Sequence, residues 1–220
     1  MNLQAIELST SDAPRASLII LHGLGADGSD FVPVCQALQL DAVGGVRCIL
    51  PSAPVMPVSI NGGYEMRAWY DIYPVTGPKR EDETTLRRSQ QLVEGLIERE
   101  VARGIPANRI VLMGFSQGCA MTLMTGLRHP ARLAGLAALS GYLPLAEQTA
   151  AERHSANADV PIFMAHGVHD DVVVLDRAEA SRDLLQQLGY AIDWHTYPIA
   201  HSVSLEEIQD LNAWLLKVLA

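Results

Sequence analysis

The stretch from Arg109 to Cys119, RIVLMGFSQGC, constrains the fold more than any other part of the sequence. A short apolar run, Ile110 to Met113, leads into Gly114 to Gly118, and a helix-compatible run follows. A strand that turns sharply into a helix strains its pivot residue, and side chains two positions before or after the pivot would collide with neighbouring turns. The two glycines remove those side chains. The pattern therefore predicts a strand, a strained turn at Ser116 and a helix.

The predicted turn is also a candidate nucleophile elbow. It holds the hydroxyl of Ser116 above the sheet, while the helix that follows directs its free N–H groups at the space beside that hydroxyl. This arrangement suits a developing oxyanion. The alternative is an ordinary glycine-rich turn, and the choice depends on whether an acid and a base follow.

A serine hydroxyl needs a neutral imidazole to take its proton, and the imidazole needs a carboxylate that fixes its tautomer. On a strand-to-helix elbow the chain order is serine, acid and histidine, with the histidine in the last strand-to-helix loop. His201 fits the base. Asp170 and Asp171 both fit the acid, and the residues alone favour Asp170 only slightly. The other histidines lie in a strand, at helix ends or next to glycines at strand ends, and they fit the role less well.

Acyl transfer further requires two N–H donors for the tetrahedral oxyanion. One is expected from Gln117, which follows the candidate nucleophile, and the other from the loop after an early strand. The sequence His22-Gly23-Leu24-Gly25 fits that loop, and its glycines let the backbone face the site. We expect the second donor to be the amide of Leu24; the alternative is a plain glycine-rich turn.

Composition and charge narrow the class of protein. With 220 residues, the chain is expected to form one α/β domain over residues 1–220. A net charge of −9 without a basic cluster argues against nucleic-acid binding. No apolar run approaches a bilayer span and no signal peptide is visible, so a cytoplasmic protein is expected. The three cysteines form no metal-binding pattern, and we expect no metal or cofactor. A monomer or a homodimer is expected.

Strand and helix patterns alternate along the chain, which predicts a mostly parallel, doubly wound sheet flanked by helices. The active site of such a sheet lies beyond the carboxyl ends of its strands. The predicted strands are 2–9, 16–21, 46–50, 110–113, 133–139, 160–165 and 190–197. The predicted helices begin at Ser29 or Asp30, Asp82, Cys119, Asp176 (with Glu179 as a capping box) and Ser204 (with Glu207).

A long segment from Pro51 to about Glu81 is predicted to be irregular, and loops of this length inside compact domains are usually functional. The chain is too short for an inserted cap domain, so the site should be open and bordered by this loop. Its apolar side chains are candidates for an acyl groove, although they fit the loop's own packing equally well: Met56, Ile60, Met66 and Trp69.

With HGLG, GFSQG, HGxxD and the late histidine in place, the sequence resembles the bacterial carboxylesterase and acyl-protein thioesterase (phospholipase/carboxylesterase) family of α/β-hydrolases. The resemblance covers nearly the whole chain and includes the segment 68–72, AWYDI. It implies an α/β-hydrolase fold with Ser116 as nucleophile, Asp170 as acid and His201 as base, and with Leu24 and Gln117 supplying the oxyanion N–H groups. The sequence departs from the family at Cys119, Asp171 and Ala200. Of these, only Ala200 could affect catalysis, because it precedes the expected base, His201.

Three functions are compatible with these features. The first is a metal-free serine carboxylesterase acting on short- to medium-chain acyl esters or thioesters as small-molecule substrates. The second is a lysophospholipase or an acyl-protein thioesterase with the same triad. The third is a ligand-binding module on an inactive hydrolase scaffold, for which the sequence offers little because no member of the triad is missing.

Overall fold

The computed structural model describes residues 3–74 and 81–220. A seven-stranded sheet has the order β1-β3-β2-β6-β7-β8-β9, and β1 alone runs antiparallel to its neighbour. A separate antiparallel hairpin consists of β4 and β5. The strands are β1 Ala5–Ser9, β2 Ala16–Leu21, β3 Val46–Pro51, β4 Val55–Val58, β5 Tyr64–Arg67, β6 Ile110–Phe115, β7 Gly135–Leu139, β8 Ile162–Gly167 and β9 Ile192–Tyr197. The predicted α/β-hydrolase sheet is confirmed.

Helices cover both faces of the sheet. They are α1 Val32–Ala37, α2 Glu83–Ala102, α3 Gln117–Gly126, α4 Ala146–Glu152, α5 Leu175–Gln187 and α6 Leu205–Val218. One apolar core joins the sheet to α2, α3 and α5, and the other joins it to α1 and α6. Strand β2 shows why both form: Ile19 and Leu21 belong to the first core, and Leu18 and Ile20 to the second. Alternate side chains of a strand point to opposite faces, so a central strand with helices on both faces is apolar throughout.

The parallel strands bring the candidate site together. Strands β2, β6, β8 and β9 end at the same edge of the sheet, and the residues that follow them include His22, Ser116, Asp170 and His201. Residues far apart in sequence therefore meet beyond the carboxyl ends of the strands, as expected for a sheet of this kind.

Several local predictions need correction. The segment 51–81 was predicted to be irregular, but it contains the β4–β5 hairpin; its part from 75 to 80 lies outside the described residues, as does residue 2 of the predicted first strand. Helix α5 begins at Leu175 with Val174 as its N-cap, so Asp176 lies inside the first turn and does not cap it. Asp27, not Ser29 or Asp30, caps the turn that precedes α1.

The C-terminal helix begins as predicted, because Ser204 Oγ accepts a hydrogen bond from the amide of Glu207 at 3.0 Å. The reciprocal bond of a capping box is not formed, since both carboxyl oxygens of Glu207 lack a partner among the described residues. Of the helices at residues 3–74 and 81–220, none has the length and apolar character needed to cross a membrane.

Candidate active site

The elbow predicted at Ser116 is present. Ser116 has φ 56° and ψ −116°, a conformation that few non-glycine residues adopt, and it stands between β6 and α3. A Cβ atom at Gly114 would lie 2.2 Å from the carbonyl oxygen of Gly118, and one at Gly118 would lie 2.0 Å from that of Leu21. Both glycines are therefore required for β6, α3 and β2 to approach so closely. The sharp turn between β6 and α3 places the side chain of Ser116 at the edge of the sheet, where it is half-buried.

The carboxylate that faces His201 is that of Asp170. Its Oδ2 lies 2.6 Å from His201 Nδ1, and its Oδ1 accepts hydrogen bonds from the amides of Val172 at 2.9 Å and Val173 at 2.8 Å. The Asp170 side chain is fully buried, whereas Asp171 is exposed. Hydrogen bonds from three N–H donors stabilise the ionised form of a buried carboxylate. Asp170 can thus hold the imidazole with Nε2 free for a second partner.

His201 stands over the elbow. Its ring centroid lies 4.7 Å from that of Phe115, the residue before Ser116, and 16% of its side chain is exposed. Within residues 3–74 and 81–220, the hydroxyl of Ser116 makes no hydrogen bond. Ser116 Oγ and His201 Nε2 are therefore not hydrogen-bonded to each other in this structure. Such bonds are often long without substrate and shorten in the reacting complex.

The loop from His22 to Gly25 lies against the elbow. A Cβ atom at Gly23 would be 3.4 Å from Ser116 Cβ, so this loop passes directly beside the serine. The amide of Leu24 has no acceptor among the described residues. The amide of Gln117 is the first of α3, and the first donors of a helix have no partner within it. Two unpaired N–H groups therefore flank the serine, as an oxyanion site requires.

His22 fixes the shape of this loop. Its Nδ1 lies 2.6 Å from the carbonyl oxygen of Gly23, and its Nε2 accepts a hydrogen bond from the amide of Ala53 at 2.9 Å. Burial lowers the pKa of His22, which favours the neutral ring that these two bonds require. His22 thus holds this loop through contacts with Gly23 and Ala53.

The side chain of Gln117 has a second role that the sequence does not predict. Its side-chain Oε1 accepts a hydrogen bond from the amide of Trp69 at 2.7 Å, and its Nε2 donates to the carbonyl oxygen of Tyr70 at 2.7 Å. The side chain thus joins the start of α3 to the long segment. A buried glutamine can bond to any backbone it meets, so no sequence pattern names its partners.

The prediction that Trp69 lines an acyl groove is wrong. Trp69 is fully buried in the core, its ring packs against His22 at 5.4 Å, and its Nε1 donates to the carbonyl oxygen of His22 at 2.9 Å. An indole without exposed surface cannot line an open groove. Trp69 instead supports the loop that carries the Leu24 amide, which is the packing alternative stated for this segment.

The other three groove candidates lie on or next to the hairpin. Met56 pairs with Met66 across β4 and β5, so their side chains share one face. Met66 Sδ lies 3.8 Å from the position that a Cβ at Gly25 would take, and the amide of Gly25 donates to the carbonyl oxygen of Arg67 at 2.9 Å. The two methionines are half-buried and Ile60 is 44% exposed. This apolar face therefore borders the loop beside Ser116.

A pocket of about 480 Å³ lies between the segment 142–145, which follows β7, and helices α4 and α5. The preceding residue, Gly141, passes close to the elbow, because a Cβ atom there would lie 2.8 Å from the carbonyl oxygen of Ser116. The wall of the pocket carries Arg177, whose guanidinium stacks on Tyr142 and pairs with Glu81. Further lining residues are Leu143, Leu145, Ala180 and Ser181. Among the described residues no three His, Cys, Asp or Glu side chains are arranged to hold a metal ion.

The sequence profile of a family described as phospholipase/carboxylesterase matches residues 2–219. The chain belongs to this family. Its members are serine hydrolases of the carboxylesterase and thioesterase type, and the chain is an enzyme of this class. The family predicted from the HGLG, GFSQG and HGxxD motifs is thereby confirmed.

Relatives of the phospholipase/carboxylesterase family are similar to the chain over nearly its whole length. Acyl-protein thioesterase 1 of Yarrowia lipolytica is 38% identical over 216 residues, which cover 96% of this chain and 95% of the relative. Acyl-protein thioesterase 1 of Neurospora crassa is 41% identical over 209 residues, 91% and 85% of the two chains. The crystal structure of Zea mays acyl-protein thioesterase 2 superposes with a TM-score of 0.87 at 26% identity, covering 99% of each chain.

Proposed function

We propose that the chain hydrolyses acyl esters and thioesters through an acyl-enzyme intermediate on Ser116, with His201 as general base, Asp170 as its orienting acid, and the amides of Leu24 and Gln117 as oxyanion donors. The observation that carries the proposal is the 2.6 Å hydrogen bond between Asp170 and His201 at the edge where the strained Ser116 stands. The family membership supports the reaction type. No metal ion or cofactor takes part.

In the first half of the proposed reaction, His201 Nε2 takes the proton of Ser116 as Oγ attacks the acyl carbonyl carbon. The carbonyl oxygen becomes negatively charged and accepts hydrogen bonds from the two flanking amides. The buried charge of Asp170 stabilises the imidazolium. The tetrahedral intermediate then expels the alcohol or thiol, which receives the proton from His201 and leaves the acyl group on the serine.

The second half repeats these steps with water. His201 removes a proton from a water molecule that attacks the acyl-serine, and the new oxyanion occupies the same two donors. Collapse of the intermediate returns the proton to Ser116 Oγ and releases the carboxylic acid. Only the neutral imidazole of His201 can act as the base in either half of the reaction.

For the substrate we propose short- to medium-chain acyl groups, held by Met56, Ile60 and Met66. Support comes from the position of the hairpin beside Gly25 and from the half-buried state of both methionines. The pocket between the segment 142–145 and helices α4 and α5 is the competing place for the acyl group. Its Arg177–Glu81 pair would have to give up contacts with water to hold a long alkyl chain, which disfavours long acyl groups there.

A fluorophosphonate probe tests the proposed nucleophile, because it reacts with an activated serine and forms a stable adduct. We expect one equivalent of probe on Ser116, located by peptide mass spectrometry, and no labelling of Ser116→Ala. Ser140→Ala is a control, since Ser140 also has a positive φ but follows β7, and its buried hydroxyl has no hydrogen-bond partner among the described residues. Folded wild-type protein that remains unlabelled would contradict the proposal and favour a ligand-binding protein.

A substrate series separates the alternatives that share this triad. Rates are compared for a set of acyl esters of increasing chain length, a lysophospholipid and an S-acylated peptide. The two similar acyl-protein thioesterases favour including the peptide. Met66→Trp should shorten the preferred chain if the hairpin holds the acyl group, whereas Ala180→Trp should do so if the pocket holds it. A lysophospholipid rate far above all others would reassign the substrate.

The proposal includes a cytoplasmic location and a monomer or homodimer. Cys35, Cys48 and Cys119 are free, which fits a reducing compartment. Light scattering of the purified protein determines the oligomeric state, and fractionation of cells locates the protein.

A further inference from the structure

His166 is a buried histidine next to the proposed triad, and the mechanism above does not use it. It lies near the end of β8 and is fully buried. Its Nε2 is 2.7 Å from the carbonyl oxygen of Val173 and 3.4 Å from Asp170 Oδ2, the oxygen that also faces His201. One carboxylate oxygen therefore lies between two imidazoles.

The hydrogen bonds determine the tautomer of His166. A carbonyl oxygen can only accept, so Nε2 carries the hydrogen that is donated to Val173. Nδ1 has no partner within residues 3–74 and 81–220, so it carries a lone pair in the neutral ring. Burial lowers the pKa of His166, which keeps the ring neutral at neutral pH.

Val173 is held from both sides. Its amide donates to Asp170 Oδ1 at 2.8 Å, and its carbonyl oxygen accepts from His166 at 2.7 Å. The near end of the loop from Asp170 to Val173 is tied to β8 by the hydrogen bond from the amide of Asp170 to the carbonyl oxygen of Gly167 at 3.2 Å. The bond between His166 and Val173 ties the far end to the same strand, so the direction of the carboxylate is fixed relative to the sheet.

We propose that His166 is a positioning residue for Asp170: through Val173 its Nε2–H holds the carboxylate against His201, and its neutrality leaves the full carboxylate charge to the imidazolium of His201. The inference rests on the hydrolytic function proposed above and adds to it a residue that touches neither the substrate nor the reacting atoms.

The neutrality of His166 matters because of the charged groups around it. The groups that act on it electrostatically are Asp170 in its own loop, His201 after β9 and Glu179 on α5. A proton on His166 would place a positive charge 3.4 Å from Asp170 Oδ2. That charge would compete with the imidazolium of His201 for the same carboxylate and would weaken the stabilisation of that imidazolium.

Two variants test whether the N–H group of His166 that faces Val173, and not the volume of the ring, is what positions Asp170. His166→Gln retains an N–H at about the position of Nε2, whereas the amide of His166→Asn is too short to reach Val173. We expect His166→Asn to lower kcat by about 10²-fold with little change in KM, because a small misplacement of the acid misdirects the base. His166→Gln should recover most of kcat, because its side-chain N–H can again donate to the carbonyl oxygen of Val173.

His129→Gln is the matched control. His129 is also buried with a lowered pKa, but it follows α3 at the opposite edge of the sheet. Its replacement should leave kcat, KM and the pH profile unchanged. Equal, wild-type values of kcat and pH profile in His166→Asn and His166→Gln would overturn the proposal.

Nuclear magnetic resonance of the unaltered protein tests the proposal even if the variants fold poorly. Nitrogen-15 shifts should show His166 as the neutral Nε2–H tautomer at neutral pH. A hydrogen on Nδ1 of His166 in the neutral ring, or a charged ring at neutral pH, would contradict the proposal.

The proton between His201 Nδ1 and Asp170 should appear far downfield in the wild type, as expected of a short hydrogen bond, and should move upfield in His166→Asn. This signal belongs to the free enzyme and does not depend on turnover. Failure of the proposed function can therefore be distinguished from failure of this inference. In the former case Ser116 would not react with the probe, although the signal of the His201 proton would remain intact.

Discussion

Asp170 and Asp171 are chemically identical neighbours that the fold places in opposite environments. Asp170 is fully buried and accepts hydrogen bonds from three N–H donors, one of them on His201, whereas Asp171 is exposed. Adjacent residues in a turn point in different directions, and only the three-dimensional path of the loop decides which one meets the histidine. The sequence alone therefore leaves the pair almost undecided.

Replacing each aspartate by asparagine tests this difference. Asp170→Asn should lower kcat by about 10⁴-fold, because an amide in that place favours the wrong tautomer of His201. Asp171→Asn should change kcat by less than about twofold, since the side chain touches solvent. Both variants should keep wild-type circular dichroism, and rates on a short-chain ester provide the measurement. A large loss in Asp171→Asn alone would reassign the acid.

The side chain of Gln117 allows a second test at this scale. Gln117→Glu retains the acceptor for the Trp69 amide but replaces the donor to the Tyr70 carbonyl oxygen by a carboxylate oxygen. Two buried acceptors would then face each other, which costs about 1–3 kcal/mol of folding free energy. Urea unfolding should show this loss. Gln91→Glu is a control that should unfold nearly as the wild type does, because Gln91 is exposed on α2 and its side chain makes no hydrogen bond among the described residues.

At the scale of elements, the strand-turn-helix around Ser116 is the part that sequence reasoning describes best. The two glycines were expected to clear collisions, and the structure shows contacts of 2.2 Å and 2.0 Å for the missing Cβ atoms. The reason is that the constraint is local: a sharp turn demands small residues at fixed spacing. The predicted limits were short by two residues at the end of β6 and late by two at the start of α3.

Gly118→Ala and Gly95→Ala make a matched pair of glycine substitutions in helices. The new methyl group at 118 would lie 2.0 Å from the carbonyl oxygen of Leu21, so we expect a loss of about 1–3 kcal/mol and of most turnover. At 95, in the exposed surface of α2, nothing lies within 4 Å, and alanine should stabilise the protein by about 0.5–1 kcal/mol. Urea denaturation of both variants measures the difference.

Elements that depend on distant contacts were predicted less well. The β4–β5 hairpin was missed because its residues mix proline, glycine and charged side chains, and because one of its hydrogen bonds joins Arg67 to the distant loop at Gly25. Trp69 was assigned to a groove because an apolar side chain in a loop fits a ligand or a core equally well. The start of α5 was misplaced since Asp176 has the composition of a cap, although the backbone at Val174 already ends the preceding turn.

At the scale of the whole molecule, the parallel sheet brings residues that are distant in sequence together in one site. The apolar strands were predicted because parallel strands buried on both faces are continuous apolar runs, and their parallel order follows from the helices between them. Serine, acid and histidine then meet at one edge without any sequence proximity. The one buried carboxyl that pattern reasoning placed in a capping box, Glu207, has no hydrogen-bond partner for either oxygen among the described residues.

Glu207 should therefore impose a pH dependence on the stability of the whole protein. Burial raises its pKa from 4.5 to about 7, so the folded state favours the neutral form. Below pH 4.5 the carboxyl is neutral in both states and does not lower the free energy of unfolding. As pH rises from 4.5 to about 7, the free energy of unfolding decreases, and above about pH 7 the decrease is constant. The full shift corresponds to about 3 kcal/mol. Glu207→Gln should thus raise the free energy of unfolding at pH 8 by up to this amount relative to its effect at pH 4.

Glu206→Gln is the matched control, because the neighbouring carboxylate is exposed and its replacement should have nearly the same small effect at both pH values. Urea unfolding of the wild type and both variants from pH 4 to pH 8 gives the measurement. The difference between Glu207→Gln and wild type should rise across pH 4.5–7 and then level off. A difference that is flat with pH, or that grows toward acid, would mean that the carboxyl is ionised and paired in the folded protein.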